Sequence, residues 1–74
     1  MKASNGLTGY PHVLQGETTT TFGTTLHAGT IVTILGTGEV EGEEVVFVEN
    51  HALEFGDSIP SDTAVEVAEE GEYD

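Results

Sequence analysis

Three histidines, His12, His27 and His51, are the imidazole donors of this 74-residue chain, and no cysteine accompanies them. Metal motifs draw ligands from close, regular spacings. These histidines are scattered along the chain, so each is expected on a surface or in a turn, and no metal site is assigned. Their titration near neutral pH gives them a capacity to tune an interface. The densest set of hard oxygen donors is Glu39, Glu41, Glu43 and Glu44. A calcium loop fixes Asp or Asn at alternating positions with a glycine and a terminal Glu. That spacing is missing, which predicts a diffuse shell of hydrated cations on a solvated loop.

Other chemistry fails on similar grounds. The stretch Gly36-Thr37-Gly38-Glu39-Val40-Glu41-Gly42 has the glycines of a phosphate loop. It lacks the lysine and carries carboxylates where phosphate oxygens would sit, so it reads as a hairpin loop. Ser58 or Ser61 with His51 lacks a nucleophile-elbow context. Glu43 with Glu49 lacks the rigid cleft that an acid and base pair requires. The sequence therefore predicts no catalytic residue, no cofactor and no enzymatic activity.

Charge narrows the partners. Lys2 is the one Lys or Arg against 14 Asp and Glu, a formal net charge of −13. Binding to nucleic acid or to an anionic membrane surface rests on Lys and Arg, and both are excluded as partners. Such an excess strains a compact fold unless salt screens it, and at molar salt the Debye length falls to about 3 Å. The composition resembles that of proteins from salt-loving microbes or their viruses. Neither an apolar leader nor a stretch near the ~20 apolar residues of a membrane span is visible, which predicts a soluble, unexported protein. A domain of this size draws roughly 3–5 kcal/mol from its core and has no disulfide to add, so it is expected to lean on partners.

The elements behind these residues are short. Residues 1–38 contain only Lys2 and Glu17 as charged side chains, whereas 13 acidic residues follow from Glu39 onward. The neutral half is either covered by other subunits or simply Thr-rich strand with adequate polar surface. Residues 1–17, with their turn residues and no sustained period, read as an extended N-terminal arm that either orders against a neighbour or packs loosely on its own domain. Residues 18–67 read as strands: Thr18 to Leu26 as an edge strand bent at Gly23, Thr30 to Leu35 stopped by Gly36-Thr37-Gly38, and Glu44 to Glu49 with apolar residues on both faces. Ala52 to Phe55 places Leu53 and Phe55 on one face. Gly56 to Asp62 reads as a turn with a short helical twist, and Ala64 to Val67 has Val65 and Val67 inward. Residues 68–74 read as a disordered acidic tail.

Five short strands joined by Gly-rich turns favour a small all-β barrel, because closure removes exposed edges. The order of Leu26-His27-Ala28-Gly29-Thr30-Ile31-Val32, then Glu44 to Glu49, then Gly56-Asp57-Ser58-Ile59-Pro60-Ser61 running into Val65, resembles the SH3-like barrel over residues 22–67. The resemblance implies an Ile-Pro-Ser stretch that leads through a single 3₁₀ turn into the last strand. The aromatic residues of peptide-reading SH3 domains have no counterpart here, so the resemblance implies a scaffold and not a reader of proline-rich ligands.

Two roles are consistent with these readings. One is a structural protein of a virion, a capsid-decorating or minor capsid or tail component of a halophilic virus that clamps neighbouring subunits. The other is an adaptor or accessory subunit of a halophilic cellular complex, located in the cytoplasm. In either case the partners are protein subunits, for instance a major capsid protein, or further copies of the chain. The expected interface residues are Leu7, Tyr10, Val13, Leu14 and Phe22, whose burial against a neighbour is worth about 25 cal/mol per Å² before ordering costs. A nucleic-acid-mimicking inhibitor is a third, weaker reading.

Overall fold

Alternation fixes the first strand: in Pro11-His12-Val13-Leu14 the side chains of His12 and Leu14 are buried and their neighbours half-buried, the period of a strand with one face on a core. In the computed structural model, which describes residues 1–50, 53 and 56–68, that segment is β1 (Pro11–Leu14). It is followed by β2 (Thr18–Thr19), β3 (Thr25–Leu26), β4 (Ile31–Val40), β5 (Glu43–Glu49), β6 (Asp57–Pro60) and β7 (Val65–Val67). A short 3₁₀ turn, Ala3–Asn5, precedes them. The chain is all-β, with a five-stranded sheet ordered β6-β5-β4-β1-β7 and a two-stranded ribbon β2-β3. All the pairings are antiparallel.

The N-terminal segment is therefore no free arm. β1 lies between β4 and β7, and His12 faces Val32 on one side and Val67 on the other. Pattern reading missed it because a four-residue strand that buries a histidine shows too little apolar alternation to count. The edge strand expected over Thr18 to Leu26 is instead a hairpin, folded back at Gly23, where φ is 90°. Gly36 and Gly38 do not stop β4. A bulge between Ile34 and Gly36 absorbs an extra residue, and the strand then runs on to Val40. Asp57 to Pro60, expected in a turn, is β6.

The core gathers Ala3, Leu14, Leu26, Val32, Ile34, Val46, Val48, Leu53, Ile59 and Val65. Half of these come from the weakly charged residues 1–38. Val67 is half-buried, not inward like Val65, and Phe55 lies outside the described residues. Ala68, assigned to the tail, is buried and donates its N–H to the Pro11 carbonyl at 3.0 Å. The rest of the tail, residues 69–74, lies outside the described residues.

The sheet does not close into a barrel, since β6 and β7 occupy its two ends without pairing to each other. Both edges are nonetheless occupied. Beside β7, Val65 and Met1 exchange main-chain hydrogen bonds of 2.8 and 2.9 Å, and Lys2 bridges to Ala64. Beside β6, the Thr21 N–H donates to the Ser58 carbonyl at 2.9 Å, the two side-chain hydroxyls meet, and Pro60 has no N–H to offer. Covered edges of this kind oppose sheet-to-sheet aggregation.

Candidate docking surface

The β2-β3 ribbon positions one aromatic side chain. Its tip is drawn tight by the Thr20 N–H to the Thr24 carbonyl at 2.8 Å, the Gly23 N–H to the Thr20 carbonyl at 2.9 Å, and the Thr24 N–H to Thr20 Oγ1 at 3.0 Å. Thr21 then ties the tip to β6, and the Phe22 N–H reaches Asp57 Oδ1 at 3.4 Å. All this fixes the backbone on either side of Phe22, whose side chain is left 82% exposed. An exposed phenylalanine on a pinned loop loses little conformational freedom when it is buried by a partner.

Further exposed apolar side chains lie along the N-terminal segment, β4 and β5. The Tyr10 N–H donates to the Leu7 carbonyl, closing a turn, and Gly9 and Tyr10 pair with Ile34 through bonds of 2.7 and 3.3 Å. Leu35 follows the inward Ile34 and so points outward, and after the bulge the next pair across the ladder is Gly36 with Phe47. Leu7, Tyr10 and Leu35 are about half exposed, and Phe47 slightly less. The turn and β4 as far as Gly38 bear no carboxylate.

Of the five expected interface residues, the structure leaves Leu7, Tyr10 and Phe22 outward. Val13 is half-buried. Leu14 is corrected: at 1% exposure it belongs to the core and cannot meet a partner. Leu35 and Phe47 are exposed apolar side chains outside that set. The outward position of Leu35 follows from plain alternation, since Val32 and Ile34 are inward and the next residue along the strand points to the other face.

The histidines separate. His12 is fully buried, not at the surface, with both ring nitrogens engaged by main chain. His27 stands in the exposed turn before β4, 3.0 Å from Glu17, a solvent-screened pair of small worth. His51 lies outside the described residues. Among the described residues no group of three His, Cys, Asp or Glu is placed to hold a metal ion.

The acidic run sits at the β4-β5 hairpin tip, where Glu39 faces Glu44 and Val40 faces Glu43 across the ladder. An open cleft on one side of this tip is lined by Thr19 to Thr21, Val40, Glu41, Glu43, Glu44, Val45 and Pro60. Another, on the other side, is lined by Ser4, Thr37, Gly38, Glu39, Glu44, Val45 and Ser61. Neither lining includes a histidine to activate its hydroxyls. No helix among the described residues is long and apolar enough to cross a membrane. Comparison with known protein families, with curated proteins and with solved structures finds no match.

Proposed function

We propose that this chain is a non-enzymatic structural protein that docks on neighbouring protein subunits of a larger assembly through Phe22 and the Leu7–Tyr10 turn, with its carboxylates left to solvent. The observation that carries the reading is Phe22, exposed on a tip whose backbone is fixed from two sides. Buried aromatic anchors of this kind dominate binding energy at protein interfaces. The setting we assign is the virion of a halophilic virus, where a small acidic clamp would brace shell subunits in brine. Support for an SH3-like scaffold comes from the strand order β6-β5-β4-β1-β7, the β2-β3 ribbon inserted between β1 and β4, and the Ser61-Asp62 turn, a plain turn and not a 3₁₀ one, that leads from β6 to β7.

Size fractionation of the native source in high salt tests the reading, with the chain carrying Phe22 compared against Phe22→Ala. The expected result is co-migration with virions or another large assembly, lost by about tenfold or more in Phe22→Ala while the melting temperature holds within the range of surface substitutions. A chain that travels alone at its 7.8 kDa mass overturns the proposal, as does undiminished assembly of Phe22→Ala. Co-migration with one soluble enzyme complex overturns the virion setting in favour of a cellular accessory subunit.

A further inference from the structure

We infer that His12 is a proton-operated latch that holds the Leu7 end of the Leu7–Tyr10 turn on the sheet and releases it when the ring takes a second proton. The link to docking rests on the function proposed above; the latch itself does not. His12 is 0% exposed. Its Nδ1 lies 2.8 Å from the Tyr10 carbonyl oxygen, which can only accept, so Nδ1 carries the hydrogen. Its Nε2 lies 3.1 Å from the Leu7 amide nitrogen, which can only donate, so Nε2 presents its lone pair. Main chain at both ends thus selects one neutral tautomer.

A second proton must go to Nε2, where it would meet the Leu7 N–H head on. The ring would then be a buried cation that has lost a hydrogen bond. Among the described residues no carboxylate is hydrogen-bonded to the ring, whose partners are both main chain. β1 itself has no other ionisable side chain, and on β4 Glu39 is at the far end from Val32, the partner of His12. On β7, Glu66 pairs with Val13 and so faces the opposite side of the sheet. From the N-terminal segment come the exposed Lys2 and Tyr10 and the Met1 ammonium, which is held by the Val65 carbonyl. The His27 and Glu17 pair is elsewhere, in the exposed loops after β1 and before β4.

Nor can the ring move aside. A Cβ placed on Gly6 would come within 3.0 Å of Nε2 and would collide with Ile34 Cδ1, so Gly6 is already packed against both. The least obstructed response to protonation is for the Leu7 end of the turn to swing out, while Tyr10 keeps its bonds to Nδ1–H and to Ile34. Docking through this turn is then weakened while the ring is protonated and restored when it is neutral.

The test is nitrogen NMR of the His12 ring and of the Leu7 amide in the isolated full-length chain, from about pH 8 to about pH 5, the range over which histidine switches charge. The expected result is the Nδ1–H tautomer at the upper end. As the ring takes its proton, the Leu7 amide should lose about tenfold or more of its exchange protection while Val46 and Val48 keep theirs. His27→Gln should leave the transition in place, and His12→Gln should abolish it. The latch is overturned by a ring that stays neutral throughout, by a Leu7 amide that stays protected as the ring protonates, or by simultaneous loss at Leu7 and Val46. No partner is present in this measurement, so its failure is separate from failure of the docking proposal.

Discussion

Phe47 shows what a single residue can do for a strand that sequence rules say should break. Gly38 lies under its ring, and a Cβ there would collide with ring atoms. The aromatic ring covers backbone that a glycine leaves bare, so glycine inside β4 is tolerated where it would ordinarily weaken a strand. Gly38→Ala is therefore expected to destabilise by about 1–3 kcal/mol, the range for overpacking. In a Phe47→Ala background the same change should turn neutral or stabilising by ~0.5–1 kcal/mol, because only the entropy of glycine is then at stake. Urea denaturation of the four proteins of this cycle checks the reversal of sign, and equal effects in both backgrounds would refute it. His12 is the opposite case, a residue whose position was not legible. Its burial depends on the Leu7 and Tyr10 main-chain groups, which are offered by a turn and leave no mark in side-chain pattern.

At the scale of elements, strand-forming runs were legible where β-branched residues cluster, as in Ile31 to Ile34 and Val45 to Val48, and illegible where pairing is decided by a neighbour. β1 is recognisable only with β4 and β7 on either side, and β6 only once Thr21 and β5 flank it. The turn joining β4 to β5 carries a clearer signal than was taken from it. Glu41 and Gly42 have φ of 52° and 83°, the double left-handed geometry of the tight hairpin turn that prefers Asn-Gly. Glutamate at the first position is strained by roughly 1–2 kcal/mol relative to a right-handed conformation. Glu41→Asn should relieve part of this and raise stability by about 0.5–1 kcal/mol, and thermal unfolding at fixed salt would show it. An unchanged or lower midpoint would mean that the turn is not held in this geometry. Edge protection makes a separate prediction. Deleting residues 1–5 removes Ala3 from the core and uncovers the Val65 edge, so the truncated chain should be less stable and should self-associate through β7, visible by light scattering.

For the whole molecule, the division of the sequence into a neutral front and an acidic back does not become two faces. The front supplies β1 and β4 at the middle of the sheet, and the back supplies β5 and β6 on one side and β7 on the other. Along the β4-β5 hairpin charge is instead densest at the tip, with Glu49 opposite Thr33 at the base. Glu39, Glu41, Glu43 and Glu44 crowd its tip, about 20 Å beyond Ile34 at ~3.3 Å per residue, while Gly9 and Tyr10 close on Ile34 itself. Like charges facing across an antiparallel ladder destabilise it, and here Glu39 faces Glu44 with no basic side chain in the hairpin to intervene. Raising sodium chloride from about 0.1 M to about 1 M shortens the screening length from ~10 Å to ~3 Å, so repulsion across the tip should fade. The urea midpoint is accordingly expected to rise through this range. Sucrose, which acts by exclusion and not by screening, should fail to reproduce the rise at low salt. Replacing Glu39 and Glu44 together by Gln should flatten the salt dependence more than Glu17→Gln plus Glu66→Gln, two changes of the same total charge at separated sites. Equal flattening by both pairs would show that net charge, and not the crowding of the hairpin tip, sets how this chain responds to salt.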